Sequence, residues 1–345
     1  GHETFLSVLE HNNLKEDIRA IRPDVGAYSA KTGESNVMYR ANRWIKNEFK
    51  DRVLTVMGGP HATFNYSRMR LYEEDLKLAP SIGVPMPAED TMLDVLAVGE
   101  ADEAWPLLLR AHAKGDNIDT IANLVTKTNR REDGKATIKD RTNFLDELPY
   151  HDREVVYEKT RLKGFGMRSI MASRGCPFIC TYCFNVKFNQ VYRGKGKTVN
   201  RYSVDRLLDE LEDMVRRYPT QFIKFYDDVF TFRSDDWLID FAQKYPKRIG
   251  LPFHCLTRAD LVRRDPQMIE YLKMAGIKSI SMSIESGNPF LREHVLKRGM
   301  SEEDIRFAFE LCHKNKINTF SNTILAIPAP ILPRADAPAF EVKVN

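Results

Sequence analysis

The chain has 345 residues, and its 43% hydrophobic and 29% charged residues are typical of a folded protein with two domains. Its 52 basic and 48 acidic residues nearly balance, so the net charge of +4 does not predict a nucleic-acid partner. No apolar run is long enough to predict a membrane segment. The five cysteines, three of them clustered, fit a reducing cytoplasm better than a disulfide framework.

Both ends of the chain suggest that it is a fragment. Residues 4–9 look helical, whereas an α/β domain is expected to begin with a buried strand. After residue 327 the chain is interrupted by prolines and has no periodic pattern. We therefore expect the first domain to lack its first strand and the second domain to be truncated.

The first half alternates apolar strand patterns with helical ones. Strands are predicted at residues 23–29, 53–58 and 94–98, and residues 36–49 have apolar side chains at helical spacing. This alternation predicts a parallel sheet covered by helices, and ligands of such sheets bind beyond the carboxyl ends of the strands. A polar, charge-rich stretch at residues 127–142 then predicts a boundary, so the domains are expected to span 1–150 and 151–345.

The second half repeats a strand-then-helix unit. Helices are expected to start at Ser203, Ser301 and the Asp265-Pro266 pair, and Gly276 is expected to end one of them. Repeated units of this length predict a parallel βα barrel, closed or partial, whose active face collects the loops after the strands. The five predicted strands are residues 168–172, 222–225, 253–256, 279–284 and 318–327.

The loop after the first of these strands carries Cys176, Cys180 and Cys183 in a Cys-x3-Cys-x2-Cys array. A structural zinc site needs a second Cys or His pair, and no such pair follows downstream. Three soft thiolates suit an iron-sulfur cubane that keeps one iron open to another ligand. The alternative, three buried free cysteines, is disfavoured because the loop is flanked by Gly175 and Pro177.

With an aromatic residue just before the last cysteine, this array resembles that of the radical S-adenosylmethionine (radical SAM) enzymes. The resemblance implies a 4Fe-4S cluster whose free iron is chelated by S-adenosylmethionine, which is then split to a 5'-deoxyadenosyl radical. It also implies that the loop after the second strand contacts the amino group, that Arg258 suits the carboxylate, and that polar groups near the fourth strand contact the ribose. The implied S-adenosylmethionine residues are Tyr182, Phe184, Asp227, Asp228, Arg258, Glu285 and Ser286.

Three motifs of the first half, Pro-Asp-Val-Gly-Ala-Tyr-Ser, Gly-Gly-Pro-His-Ala-Thr-Phe and Val-Gly-Glu-Ala-Asp-Glu, resemble the cobalamin-binding domain of one large radical SAM class. The resemblance implies an α/β fold with an incomplete flavodoxin-like (Rossmann-like) domain before a partial TIM-like barrel. Because the motif Asp-x-His-x-x-Gly is absent, the cobalt ligand stays unassigned. His61 is either a cobalt ligand or a residue that forms hydrogen bonds within its loop. The implied cobalamin residues are Ser29, Thr32, Gly58, Gly59, Pro60, His61, Gly99 and Glu100.

The leading hypothesis is a cobalamin-dependent radical SAM enzyme that methylates an unactivated carbon or a phosphorus centre of a small molecule. A flavodoxin, ferredoxin or reductase is the expected electron donor. Ring contraction or cyclisation is an alternative, and a non-catalytic cobalamin or iron-sulfur sensor is another. A methylthiotransferase needs three further cysteines, and only Cys255 and Cys312 remain.

Overall fold

The computed structural model describes residues 2–8, 13–67, 69, 91–129, 136–158 and 160–327. The chain divides into two compact units. The first comprises Gly1–Phe144, Glu154–Thr160 and Lys187–Lys197, and the second comprises Leu145–Arg153, Arg161–Val186 and Thr198–Asn345. In the described part of the chain, no helix is both long and apolar enough to cross a membrane.

The first unit is a four-stranded sheet flanked by helices. Its strands lie in the order β1-β2-β3-β4, with β1, β2 and β3 parallel and β4 antiparallel to β3. The elements are α1 (Leu14–Ile21), β1 (Val25–Ser29), α2 (Ser35–Phe49), β2 (Leu54–Gly58), α3 (Gly59–Asn65), β3 (Val95–Ala97), α4 (Ala104–Lys114), β4 (Leu124–Val125) and α5 (Glu154–Tyr157).

The three predicted strands and the helix between the first two are confirmed. The prediction of a helix at residues 4–9 is wrong, because residues 2–8 contain no helix and α1 is the first helix of the described chain. Strand β4 was not predicted, since two residues are too few to show an alternating pattern.

Residues Lys187–Lys197, here called the strap, belong to the first unit although they follow the cysteine array in sequence. Tyr192 of the strap is buried, and its hydroxyl accepts hydrogen bonds from the Glu100 backbone N–H at 2.6 Å and from Asn123 Nδ2 at 3.3 Å. The adjacent Gly99 has φ +76°, and a β-carbon there would overlap the Tyr192 hydroxyl. Position 99 therefore requires glycine, both because its φ is positive and because a side chain there would overlap Tyr192.

The second unit is a five-stranded parallel sheet in the order β11-β10-β9-β8-β5, which confirms the predicted succession of parallel strands. Strands β6 and β7, which follow β5 in the chain, form a separate antiparallel pair. The elements are β5 (Met167–Ile170), β6 (Ser173–Arg174), α6 (Phe184–Val191), β7 (Asn200–Arg201), α7 (Val204–Arg217), β8 (Phe222–Phe225), α8 (Asp236–Arg248), β9 (Phe253–Leu256), α9 (Ala259–Arg264), α10 (Gln267–Ala275), β10 (Ile277–Ser281), α11 (Glu302–Lys314) and β11 (Asn318–Phe320). Helix α6 begins in the second unit, and its residues 187–191 belong to the strap of the first unit.

Three strands of the second unit end earlier than predicted. Strand β5 ends at Ile170 rather than at residue 172, and β10 ends at Ser281 rather than at residue 284. Beyond β10, Glu285 has a left-handed φ of +66° and forms a single bridge to Thr323. Strand β11 ends at Phe320 rather than at residue 327, and Ala326 has φ +54°. A run of apolar residues in the sequence does not reveal which residue will have a positive φ, so these strand ends could not be predicted.

Helix starts and stops were predicted more accurately. The Ser203 side chain accepts a hydrogen bond from the Arg206 N–H, Ser301 forms a capping box with Asp304, and Gly276 ends α10 at φ +96°. The exception is the carboxylate of Asp265, which accepts from the Ser234 N–H instead of capping α10.

One face of the five-stranded sheet is packed with aromatic side chains. The Phe225 ring lies 4.7 Å from that of Phe230 and 5.5 Å from that of Phe253, measured between ring centroids. Phe241 and Tyr245 of α8 complete the cluster, and all five rings are fully buried. Aromatic burial on this scale anchors α8 against the sheet.

We expect Gly99→Ala to destabilise the first unit more than Gly115→Ala. Both glycines have a positive φ, +76° and +71°, but at Gly115 no atom lies within 4 Å of the position that a β-carbon would occupy. Gly115→Ala should cost about 1 kcal/mol for the left-handed backbone, and Gly99→Ala roughly 1–3 kcal/mol more for displacing Tyr192. Urea unfolding of both variants measures this, and equal losses would contradict the close contact.

Candidate metal centre

The cysteine array, residues 176–183, forms a loop between β6 and α6, here called the cluster loop. Cys176 and Cys180 are buried and Cys183 is half-buried. The Cys183 N–H donates to the Cys180 carbonyl at 3.0 Å, which closes the turn between these two residues. Thr181 fastens the loop to the chain before Ser301, donating from its N–H to Leu296 O and from Oγ1 to Val295 O.

The three sulfur atoms lie close enough to influence one another. Burial, opposed by a hydrogen bond from the Phe178 backbone and reinforced by Asp228, Cys183 and Cys180, raises the pKa of the Cys176 thiol to about 11. Thiols in such surroundings ionise when a cationic metal centre binds them.

The chemistry of these thiols suits an iron-sulfur cluster. Thiolates are soft ligands, and a cubane cluster binds each thiolate through a different iron. The donor set therefore fits a 4Fe-4S cluster with three protein ligands.

Arg258 lies directly against this loop. Its Nη1 donates to Cys180 Sγ at 3.5 Å, its Nε donates to Asp260 Oδ1 at 2.9 Å, and its guanidinium stacks 3.8 Å from the centroid of the Phe178 ring. Its Nη2 donates to the backbone carbonyl of Arg298. The predicted carboxylate-binding arginine is thus buried and already oriented by four contacts.

Arg298 is a second cation at the cluster loop, and the sequence did not reveal it. Its Nη1 donates to Tyr182 Oη at 2.6 Å and lies 3.9 Å from Cys180 Sγ and 4.0 Å from Glu285 Oε1. The Tyr182 hydroxyl donates to Glu285 Oε1 at 3.0 Å. Burial raises the pKa of Tyr182, while Arg298 opposes and Glu285 reinforces this rise, so the phenol stays protonated as a donor.

The two neighbouring aspartates have different surroundings. Asp227 is fully buried and accepts from the Ala172 N–H at 3.1 Å and from Ser173 Oγ. Burial raises its pKa to about 6, although these hydrogen bonds oppose the rise. Asp228 accepts from the Asn185 side chain and from the Gly175 N–H, and burial also raises its pKa. Asp227 therefore holds the chain before the cluster loop, whereas Asp228 lies beside the loop itself.

The remaining predicted S-adenosylmethionine residues differ in exposure. Phe184 is half exposed at the start of α6. Ser286 is buried, its Oγ accepts from the Asn288 N–H at 3.2 Å, and its carbonyl accepts from Arg292 at 2.8 Å. The structure thus brings Tyr182, Glu285 and Arg258 to the cysteines and places Ser286 in a neighbouring turn.

The predicted cobalamin residues lie at the carboxyl ends of the strands of the first unit. Ser29 and Gly58 are the last residues of β1 and β2, and residues 59–61 begin α3. At β1 and β2 the packing is tight: a β-carbon at Gly59, where φ is +85°, would lie 2.9 Å from Ala30 N and 3.0 Å from Ser29 Oγ. Beyond β3, the Gly99 N–H donates to Thr63 Oγ1. This loop cluster is formed by Ser29, Thr32, Gly58, Gly59, Pro60, His61, Gly99 and Glu100.

His61 is enclosed in this loop cluster. Its side chain is fully buried, Nε2 lies 2.6 Å from Tyr39 Oη, and Nδ1 lies 3.2 Å from Thr32 Oγ1. Burial lowers the pKa of His61, which favours the neutral imidazole. Both ring nitrogens therefore have hydrogen-bond partners within the first unit.

The sequence from residue 170 to residue 329 matches the Radical SAM superfamily. The match includes the cluster loop, Arg258, Arg298 and all the predicted S-adenosylmethionine residues. This stretch of the chain is therefore a Radical SAM domain. A domain of this kind implies a 4Fe-4S cluster and S-adenosylmethionine as cofactors, which confirms this part of the sequence prediction.

Several curated relatives match most of the chain. An uncharacterized methyltransferase of Pyrococcus horikoshii is 25% identical over 93% of this chain and 64% of its own length. The anaerobic magnesium-protoporphyrin IX monomethyl ester cyclase of Rubrivivax gelatinosus is 24% identical over 92% of this chain and 54% of its own. The hopanoid C-3 methylase of Methylococcus capsulatus is 26% identical over 83% and 50%. The chain thus spans half to two thirds of the length of these relatives.

A solved structure has the same fold. The radical SAM methyltransferase TsrM from Kitasatospora setae, with tryptophan and a SAM analog bound, superposes with a TM-score of 0.65 at 16% identity. The likeness covers 91% of this chain and 59% of TsrM. A second TsrM structure, with cobalamin and a [4Fe-4S] cluster bound, has a TM-score of 0.58.

We expect Cys176→Ala, Cys180→Ala and Cys183→Ala each to abolish retention of the iron-sulfur cluster. The protein supplies only three thiolates to the cluster, so each variant leaves two, which are too few to hold it. Cys312→Ala is the control, since Cys312 is fully buried on α11. Iron and sulfide analysis after anaerobic reconstitution measures retention. An intact cluster in any of these three variants would contradict the assignment.

We expect Asp227→Ala and Asp228→Ala to have separable effects. Removing the Asp227 carboxylate leaves buried donors at Ala172 and Ser173 unpaired, which should lower the free energy of unfolding by roughly 1–3 kcal/mol and reduce iron content. Asp228→Ala should retain the cluster absorbance but weaken S-adenosylmethionine binding, measured by equilibrium dialysis. Identical behaviour of the two variants would contradict the separation.

Proposed function

We propose that this protein is a cobalamin-dependent radical SAM enzyme that transfers a methyl group to an unactivated carbon or phosphorus centre of a small molecule. The observation that carries the proposal is the cluster loop, where three cysteines share their surroundings with two buried arginines. Support for methyl transfer comes from the relatives, two of which are named as methyltransferase or methylase, and from the fold shared with TsrM.

The residues at the cluster loop suit an amino acid bound at the open iron. When bound, the reduced cluster supplies the electron that splits S-adenosylmethionine. Asp228 offers a carboxylate that would suit the amino group, and Arg258 and Arg298 place positive charge beside Cys180 that would suit the carboxylate. Tyr182 and Glu285 provide a donor and an acceptor for ribose hydroxyls.

The loop cluster of the first unit suits the cobalamin. Its flavodoxin-like fold is part of this proposal, and the support is the ordered set of loops at the ends of β1, β2 and β3. Ser29, Thr32 and Glu100 are its polar side chains, and Gly59 brings the backbone close to its neighbours. His61 serves this loop as a hydrogen-bonding residue, because both of its nitrogens are engaged.

Ring formation is the second candidate reaction. It is favoured by the likeness to the magnesium-protoporphyrin IX monomethyl ester cyclase, which extends over 92% of this chain. A methylthiotransferase is disfavoured, since Cys255 and Cys312 are fully buried on separate elements and lack a third cysteine for another cluster.

We further propose that the protein works in the reducing cytoplasm with a flavodoxin, ferredoxin or reductase as electron donor. Five cysteines without a disulfide among them are consistent with this compartment. The cluster itself needs one electron from outside for each cleavage of S-adenosylmethionine, so a reductant is required.

The test is anaerobic reconstitution of the chain with iron, sulfide and hydroxocobalamin, followed by desalting and metal analysis. We expect about four iron atoms and about one cobalt per chain, and 5'-deoxyadenosine after addition of S-adenosylmethionine and a reductant. Deuterated-methyl S-adenosylmethionine then separates the reactions, because only methyl transfer labels the cobalamin. Metal binding without deoxyadenosine would identify a sensor and overturn the enzyme proposal.

We expect Gly59→Ala to reduce cobalt retention while iron retention is unchanged. The new methyl group would meet Ala30 N at 2.9 Å in a left-handed backbone, which displaces the loop beside Thr32. Gly33→Ala is the matched control, since no atom lies within 4 Å of its β-carbon position. Equal cobalt contents in the two variants would separate this loop from cobalamin binding.

A further inference from the structure

The guanidinium group of Arg258 is occupied at each of its three nitrogens. Nε donates to Asp260 Oδ1 at 2.9 Å, Nη1 donates to Cys180 Sγ at 3.5 Å, and Nη2 donates to the backbone carbonyl of Arg298. An arginine binds a carboxylate most strongly when two of its nitrogens donate at once. Because each nitrogen of Arg258 already has a partner, this side chain is poorly placed to bind the carboxylate of a ligand.

Contacts that do not involve the sulfur fix the direction of this guanidinium. Arg258 stacks 3.8 Å from the centroid of the Phe178 ring, and that ring stacks in turn on Phe232 with 6.3 Å between the centroids. The side chains of Arg258 and Asp260 are 6% and 10% exposed. Hydrogen bonds are electrostatically stronger in such surroundings than in water. The Nη1–H group is therefore held toward Cys180 in a region of low dielectric constant.

Arg298, the other arginine at Cys180, has a nitrogen to spare. Its Nε donates to the Ser283 carbonyl at 2.9 Å, and its Nη1 donates to Tyr182 Oη at 2.6 Å. Nη1 lies 3.9 Å from Cys180 Sγ, which is farther than the 3.5 Å of Arg258. Among the residues that the structure describes, none forms a hydrogen bond with Nη2 of Arg298. Arg298 thus keeps a nitrogen for a ligand, whereas Arg258 does not.

We propose that Arg258 is a positioning residue that raises the reduction potential of the 4Fe-4S cluster through Cys180, and that it leaves the carboxylate of S-adenosylmethionine to Arg298. Reduction transfers one electron from the flavodoxin, ferredoxin or reductase to the cluster, and no bond forms or breaks. The cluster gains one negative charge, and hydrogen bonds to its thiolate sulfurs stabilise this charge. The inference rests on the proposed function, because it concerns the cofactor of that enzyme.

Asp260 provides a test of opposite sign. Its carboxylate pairs with Arg258 Nε and so partly neutralises the guanidinium beside Cys180. Removing the charge of Asp260 should therefore raise the reduction potential of the cluster, whereas removing the charge of Arg258 should lower it. A role of this pair in packing alone predicts no such opposition between the two variants.

The experiment measures the midpoint potential of the cluster-loaded chain in the absence of S-adenosylmethionine, by a redox titration followed with electron paramagnetic resonance. Arg258→Met keeps the apolar stem of the side chain and removes its charge and its donors. We expect it to lower the equilibrium constant for reduction about tenfold, which is about 59 mV for one electron. Asp260→Asn keeps an oxygen acceptor for Nε and should raise this constant about threefold.

Arg263→Met is the matched control, because Arg263 is an exposed arginine on α9, the helix that carries Asp260. Its midpoint potential should equal that of the unaltered chain. An unchanged potential in Arg258→Met would overturn the proposal, as would a lowered potential in Asp260→Asn. If Arg258→Met does not retain the cluster, the sign of the shift in Asp260→Asn still decides.

Binding of S-adenosylmethionine separates the two arginines. In equilibrium dialysis with the oxidised, cluster-loaded chain, Arg298→Met should weaken binding at least about tenfold, and Arg258→Met should weaken it less than about threefold. A tenfold loss of affinity in Arg258→Met with an unchanged midpoint potential would make Arg258 a ligand of S-adenosylmethionine and overturn the proposal.

The midpoint potential depends neither on catalysis nor on cobalamin. A chain that holds the cluster but retains no cobalt, or forms no 5'-deoxyadenosine, contradicts the proposed function, and its midpoint potential remains measurable. The two proposals can therefore fail separately.

Discussion

The buried carboxylate of Asp227 is the interaction on which the candidate centre depends. It lies at the end of β8 and accepts hydrogen bonds from Ala172 and Ser173, the residues at which the chain leaves β5. A charged or polar group in this position is costly to bury without partners, so the hydrogen bonds fix the two strand ends together. The cluster loop starts three residues later, so its position depends on these hydrogen bonds.

The second feature of the centre is the concentration of positive charge around Cys180. Arg258 follows β9 and Arg298 precedes α11, so guanidinium groups from separate parts of the chain reach the same sulfur atom. Both are buried, and each is held by backbone carbonyls or carboxylates that set its orientation. Arginines arranged in this way hold a fixed direction, which suits recognition of an anion beside an anionic cluster.

The two faces of the five-stranded sheet differ in what they can do. One face is closed by aromatic rings centred on Phe225 and provides stability. The other face carries the half-buried Lys224, which contacts the Tyr226 ring, and the buried His254. In the first unit, the strap residue Tyr192 fills the space beside Gly99 that a side chain at position 99 would occupy.

The sequence by itself determined the features that depend on local chemistry. The cysteine spacing, the helix caps at Ser203 and Ser301, and the succession of parallel strands were all readable, because each is encoded within a few neighbouring residues. Only the tertiary structure revealed the role of Arg298, the division between Asp227 and Asp228, and the contact of Arg258 with Cys180. These depend on strand register and on contacts between residues far apart in the chain, and no local pattern specifies which distant side chain a buried group will meet.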